Sequence, residues 1–224
     1  MTEREPDATY AFVDLAGFTA LTEVHGDDEA VALITAFRDR TLEILGPGDE
    51  LVKSIGDALM LRFPTTAAAM RALHALFEQE LTIRDRVLVP RAGAHHGRAV
   101  PVDGDYYGAA VNLAARVAAE ARPGELLVTA AVAAAARDAG AVVTHVGAPE
   151  LRNVSDPVDI YAVRVTEPAG DTVLDPVCQM RVPDGGDDVI SLTWDGATRR
   201  FCGLPCVSRF AAAPATFLAR LAAI

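Results

Sequence analysis

The alternation of short apolar runs with longer stretches of helical spacing constrains this chain most. Residues 9–15 place Tyr10, Phe12 and Val13 in a short apolar run, the pattern of a buried strand. Gly17 follows as a turn signal. Residues 28–45 carry Ala30, Leu33, Ile34 and Phe37 at helical spacing, and Gly46, Pro47 and Gly48 stop that helix. Residues 51–53 and 58–63 read as two strands joined by the tight Ser54-Ile55-Gly56-Asp57 turn. Residues 65–81 form a second amphipathic helix with Met70, Leu73, Phe77 and Leu81 on one face, and residues 87–95 a further strand. A helix over 108–121 turns Val111, Ala114, Ala115 and Ala118 inward, and shorter elements lead to a last strand near 160–165. The order β-α-β-β-α-β predicts a ferredoxin-like α+β core. In that core the first strand lies antiparallel to the third. The end of the first strand, with Asp14, then meets the start of the third, with Asp57.

Composition narrows the class. The chain of 224 residues carries a net charge of −11, and no clustered basic face stands out, which argues against a nucleic-acid partner. The most apolar stretches, 130–136 and 210–224, are too short or broken by Arg220 to span a membrane. The first nine residues carry acids and no apolar core, unlike a secretory signal. All three cysteines follow residue 170, an odd clustered set that does not suggest a disulfide framework. These features predict a cytoplasmic protein.

Residues 166–174 read as a polar linker with Pro168 and Gly170. The expected organisation is a domain over 1–165, this linker, and a small module over 175–224 that holds the cysteines and Trp194. Fifty residues are few to be stable without a staple such as a metal.

Three motifs carry chemistry. They are Phe12-Val13-Asp14-Leu15-Ala16-Gly17-Phe18-Thr19, Lys53-Ser54-Ile55-Gly56-Asp57, and Asp105-Tyr106-Tyr107-Gly108 followed by Val111-Asn112-Leu113-Ala114-Ala115-Arg116. In this order they resemble the class III nucleotidyl cyclases over about residues 8–165. The resemblance implies an attack by the 3′-hydroxyl of ATP on its own α-phosphorus. It implies two Mg²⁺ or Mn²⁺ ions held by Asp14 and Asp57, with the Leu15 carbonyl assisting; hard cations favour such oxygen ligands. Gly17, Phe18 and Thr19 would face phosphate with backbone N–H groups at a helix start. Arg91 matches the family's triphosphate-binding arginine.

Lys53 is the only lysine in the chain, beside nineteen arginines. By resemblance it and Asp105 read the base. Lysine only donates and carboxylate only accepts, so the pair fits the N1 acceptor and N6 donor of adenine and mismatches guanine. Asn112 and Arg116, four apart on one helix face, match the ribose-orienting asparagine and the arginine that stabilises the phosphoryl transition state. Family sites form at a dimer interface and each chain here holds both halves, so a symmetric homodimer is expected. His95 reads as structural and His74 as a core or interface residue. His25 and His145 carry no signal.

Asp175-Pro176-Val177-Cys178-Gln179-Met180 and Phe201-Cys202-Gly203-Leu204-Pro205-Cys206 resemble a YHS domain, although Arg199-Arg200 and Gly203 depart from its pattern. Two readings of Cys178, Cys202 and Cys206 stand. They are thiolate ligands for Zn²⁺ or another thiophilic ion, or small buried apolar side chains. The segment contains no histidine, so a fourth ligand is expected from water, a carboxylate or another chain.

The expected function is an adenylate cyclase producing cyclic AMP and pyrophosphate, with a metal- or redox-sensing C-terminal module and an unknown regulatory partner. The alternative is a catalytically silent nucleotide-binding or metal-sensing interaction protein on a cyclase fold. The complete set of six polar site residues favours the enzyme.

Overall fold

The structure is a computed structural model and describes residues 7–78, 81–83, 86–165, 171–186 and 189–222. In chain order it begins with β1 (Ala8–Leu15), α1 (Phe18–His25), α2 (Asp27–Ile44), β2 (Glu50–Ile55), β3 (Ala58–Phe63), α3 (Thr66–Glu78), β4 (Leu81–Ile83) and β5 (Arg86–Leu88). It continues with β6 (Pro90–Gly97), β7 (Val100–Val102), β8 (Asp105–Tyr107), α4 (Ala109–Glu120), β9 (Leu126–Thr129), α5 (Ala130–Asp138), β10 (Val143–Gly147) and β11 (Ile160–Val163). The last elements are β12 (Thr172–Leu174), β13 (Arg181–Pro183), β14 (Ile190–Trp194), β15 (Ala197–Phe201), α6 (Leu204–Ala212) and α7 (Pro214–Ala222).

Two compact units share the chain. The first comprises Met1–Asp14, Arg38–Gln79 and Pro90–Thr166; the second comprises Leu15–Phe37, Glu80–Val89 and Glu167–Ile224. The C-terminal segment therefore does not stand by itself. It forms one unit with α1 and the β4–β5 hairpin.

In the first unit a seven-stranded sheet runs in the order β10-β11-β9-β6-β1-β3-β2. Its β6-β1-β3-β2 part is the expected ferredoxin-like arrangement. β1 pairs antiparallel with β3, with Val13 opposite Leu59, so the chain beyond Val13 and the chain before Leu59 lie at one end of the sheet. That end holds Asp14 and Asp57. The β2–β3 hairpin is tighter than expected: β2 runs on to Ile55, leaving Gly56 and Asp57 as the turn. Its ladder contains a bulge, with Leu51 opposite Leu61 but Lys53 opposite Met60.

Helix α4 buries Ala110, Val111, Ala114 and Val117, the residues at i, i+1, i+4 and i+7. It packs closely on β6 because Gly93 has no side chain. A Cβ there would sit 2.0 Å from the Ala118 nitrogen. Ala8, Tyr10 and Met60 from the sheet meet Ala110, Val111 and Ala114 of this helix in one core cluster, with Phe12, Val52 and Tyr106 at its margin.

The second unit contains a four-stranded sheet, β12-β13-β5-β4, and the β14–β15 hairpin. Three expectations change here. The strand expected over 87–95 divides into β5 and β6, and the amide of Ala16 hydrogen-bonds the Val89 carbonyl at the break (3.0 Å). Leu81 begins β4 rather than ending α3. Of the expected linker, 166–170 lies outside the described residues, and Thr172–Leu174 is a strand paired with β13.

Candidate active site

Two polar clusters form in the first unit. Asp14, near the end of β1, is held by Arg91 of β6. The guanidinium donates from Nε to Oδ1 (2.6 Å) and from Nη2 to Oδ2 (2.9 Å), a bidentate pair. Burial raises the Asp57 carboxyl above its ordinary value, and the negative charge of Asp14 adds to the rise; its own backbone amide and Arg91 pull the other way. The hydrogen bond to Asp14 raises Arg91 above its already high value. Two carboxylates thus crowd one end of the sheet, and a cation is drawn between them. The residue expected to bind triphosphate is the one that supplies that charge. Leu15 ends β1 with its side chain buried.

The second cluster surrounds Lys53. Its ammonium donates to Oδ2 of Asp105 at 2.5 Å and lies 5.6 Å from the centre of the Tyr107 ring. Oδ1 of Asp105 accepts from the Tyr106 amide at 2.8 Å. Lys53 first, then that amide, hold the Asp105 carboxyl below its ordinary value. The Tyr106 hydroxyl donates to Glu50 at 3.1 Å and its ring lies beside Tyr10, which fixes the short β7–β8 hairpin. Asn112 is exposed on α4 and Arg116 half-buried, and neither side chain hydrogen-bonds a described residue. The structure thus forms Asp14–Arg91–Asp57 and Lys53–Asp105–Tyr107 as separate groupings, with Asn112 and Arg116 on α4.

In the second unit Gly17 adopts a left-handed conformation (φ 72°) and caps α1, whose first residues are Phe18 and Thr19. The same unit brings Cys178, Cys202 and Cys206 together. The Cys202 sulfur lies 3.5 Å from that of Cys178 and 3.6 Å from that of Cys206. The fourth member is His25, with Nε2 3.6 Å from the Cys202 sulfur. His25 carried no signal in the sequence, since it stands 153 positions before the first cysteine. A fourth ligand was expected from water, a carboxylate or another chain; the group that lies beside the cysteines is an imidazole of α1. Hydrogen bonds shared with Cys178 and then Cys206 pull the Cys202 thiol well below its ordinary value, and the same contact pushes Cys178 up. Asp175, wholly buried, is raised to about 6 by burial and by the charge of Cys202.

The other histidines divide. His95 is structural as expected: Nδ1 lies 2.8 Å from the Thr129 hydroxyl, and burial lowers its pKa. His74 is not a core residue; it is partly exposed beside Glu78 at 3.4 Å. His145 lies 2.8 Å from Asp159. No helix among the described residues is long and apolar enough to cross a membrane.

Comparison with known proteins bears on the family and the fold. A pH-sensitive adenylate cyclase of Mycobacterium tuberculosis (strain CDC 1551 / Oshkosh) is 36% identical over 160 residues, covering 70% of this chain and 40% of the relative. An adenylate cyclase of Glutamicibacter nicotianae is 31% identical over 161 residues, covering 71% and 40%. The chain thus spans about 40% of the length of these curated relatives. The solved adenylyl cyclase CyaB from P. aeruginosa shares the fold, with a TM-score of 0.61, 24% identity, and coverage of 74% of this chain and 96% of that one. The family described as the Adenylate and Guanylate cyclase catalytic domain matches residues 1–164, and the chain belongs to it.

Proposed function

We propose that this chain is an adenylate cyclase that converts ATP into 3′,5′-cyclic AMP and pyrophosphate as a homodimer. The observation that carries the reading is the contact between Lys53 and Asp105. The pair holds one obligate donor beside one obligate acceptor. Adenine offers the complementary edge, an acceptor at N1 and a donor at N6. Guanine would set its N1–H against the ammonium and O6 against the carboxylate, leaving both groups mismatched against the base.

In the reaction the 3′ oxygen of ribose bonds to the α-phosphorus of the same molecule. The bond from that phosphorus to the bridging oxygen breaks, the 3′ proton is lost, and pyrophosphate leaves with the electron pair. Arg116 places a planar guanidinium beside the phosphorus, where charge grows in the transition state. Asn112, one turn earlier on the same exposed face, orients the ribose. Both side chains are without described protein partners, which suits a role toward substrate.

Asp14 and Asp57 fit two Mg²⁺ or Mn²⁺ ions. They offer hard oxygen donors, they repel one another, and they already attract the Arg91 guanidinium. When bound, the ions lower the pKa of the 3′-hydroxyl and neutralise the triphosphate and leaving pyrophosphate. Arg91 then turns to the triphosphate. Family sites form at a dimer interface, and on that resemblance a second copy completes each site. Residues 175–224 serve as a regulatory segment, read through their thiol cluster.

The test is product formation by the purified protein with Mn²⁺ and either ATP or GTP, resolved by chromatography. Cyclic AMP from ATP, little product from GTP, and loss of turnover in Asp57→Ala support the proposal. A dimeric protein that binds ATP yet forms no product overturns it.

A further inference from the structure

We propose that His25, Cys178, Cys202 and Cys206 form a structural Cys₃His site for Zn²⁺ that fastens helix α1 to the C-terminal segment. The ligand atoms of these four residues all lie within 4.8 Å of one another. A tetrahedral zinc ion with bonds of about 2.3 Å to sulfur and about 2.0–2.1 Å to nitrogen sets S···S edges near 3.8 Å and S···N edges near 3.6 Å. The sulfur contacts of Cys202 are 3.5 and 3.6 Å, and its contact with His25 Nε2 is 3.6 Å. These separations are far longer than a disulfide bond of about 2.05 Å. The alternative of three thiols acting as apolar filler does not explain an imidazole nitrogen directed at the same point.

The surroundings are built to hold the ligands. Oδ1 of Asp175 accepts from the amides of Val177 (2.8 Å) and Cys178 (3.3 Å), and Oδ2 accepts from the Cys202 amide (2.8 Å). One buried carboxylate thus binds the loop of Cys178 to that of Cys202. Outer partners of this kind orient metal ligands. Cys206 lies in the first turn of α6, four residues after Cys202.

Helix α1 is held at both ends. At its start, a Cβ on Gly17 would lie 2.3 Å from the Cys178 carbonyl oxygen, so only glycine permits the approach. At its end stands His25, and Glu23 pairs with Arg209 of α6. Four protein ligands leave no open position, which marks a structural rather than a catalytic site.

The test uses the full chain, purified under reduction without chelator. Elemental analysis and native mass spectrometry should find one Zn²⁺ per chain. Cobalt substitution should give the visible bands of a tetrahedral ion with thiolate charge transfer. His25→Ala should weaken binding by more than about tenfold, because even outer partners of a metal site commonly matter that much. It should also shift the cobalt spectrum. His25→Cys should restore binding with stronger thiolate charge transfer, which separates loss of a ligand from misfolding. His74→Ala should change neither. Removal of the ion should speed hydrogen exchange in α1. Three freely titrating thiols with no bound zinc would overturn the proposal. So would a disulfide between two of them, preferential binding of Cu(I) or an iron–sulfur cluster, or a His25→Ala protein with unchanged affinity and spectrum.

Discussion

Arg91 engages both carboxylate oxygens of Asp14, at 2.6 and 2.9 Å. The arginine expected at the triphosphate therefore rests on a carboxylate expected at the metal. Under the proposed function one residue would serve two anions in turn, and substrate binding would exchange them.

Arg91→Ala separates the two roles. Removing the guanidinium frees Asp14 and leaves its repulsion with Asp57 unrelieved, so Mn²⁺ should bind the nucleotide-free protein several-fold more tightly. ATP should bind more weakly by about 1.5–3 kcal/mol, the range for a hydrogen bond to a charged group. Mn²⁺ titration by electron paramagnetic resonance and the KM for ATP check the two halves. Parallel weakening of both would show that Arg91 only shapes the site.

The proposed base choice rests on Lys53 and Asp105. Lys53→Glu with Asp105→Ser replaces the donor by an acceptor and the acceptor by a donor, matching guanine. Cyclic AMP formation should fall by roughly two orders of magnitude or more while the ratio of cyclic GMP to cyclic AMP rises. Stability should change little, since the pair is partly exposed. An unchanged product ratio would remove the pair from base recognition.

Shared sites predict complementation. Asp14→Ala and Arg116→Ala should each be inactive alone. Mixed in equal amounts and allowed to exchange subunits, they should recover about a quarter of wild-type activity, because half the dimers carry one intact site of two. No recovery, with heterodimers demonstrated, would place each site within one chain.

His95 gives stability a pH dependence. Burial first, and then the neighbouring His96, lower its folded pKa below the ordinary 6.5. As pH falls below about 6.5 the unfolded chain takes up a proton that the folded one refuses, so stability drops with acidification. Above that range this residue adds no slope. Urea unfolding across pH 5.5–8 should show a flatter acid limb in His95→Asn than in the wild type. Identical slopes would contradict the assignment.

Gly93→Ala should lower stability by about 1–3 kcal/mol or more, the usual range for overpacking, because the new Cβ meets the backbone of α4. Activity should fall further than stability accounts for, since α4 carries Asn112 and Arg116. Thermal unfolding and turnover at a temperature where both proteins are folded would distinguish the two effects.

Much of the first unit was legible because local patterns and topology agree. The apolar run before Asp14 and the turn ending at Asp57 dictate a β1–β3 pairing that brings the carboxylates to one end. Lys53 stood out as a lone lysine, and the family resemblance named Asp105 as the second base reader; their direct contact was not legible. The second unit was less legible for the opposite reason. Its elements come from three distant stretches, and no local period announces that α1 packs with the cysteines. His25 has neither motif spacing nor a neighbouring cysteine to mark it. The strand expected over 87–95 broke for a similar reason: a continuous apolar run does not show that Val87 pairs with Arg181 while Ala92 pairs with Leu126.

The bulge in β2 ties the chemistry of one lysine to a count of residues. Because Val52 is the extra residue, Lys53 lies opposite Met60, whose side chain joins the cluster containing Ala110 and Ala114. Were the ladder regular, with Val52 itself opposite Met60, Lys53 would fall opposite Leu59 and project from the other face of the sheet. Counted from the two-residue turn at Gly56 and Asp57, Lys53 keeps its place opposite Met60 even if Val52 is lost; what the bulge absorbs is the one-residue offset that keeps Glu50, the partner of Tyr106, opposite Arg62.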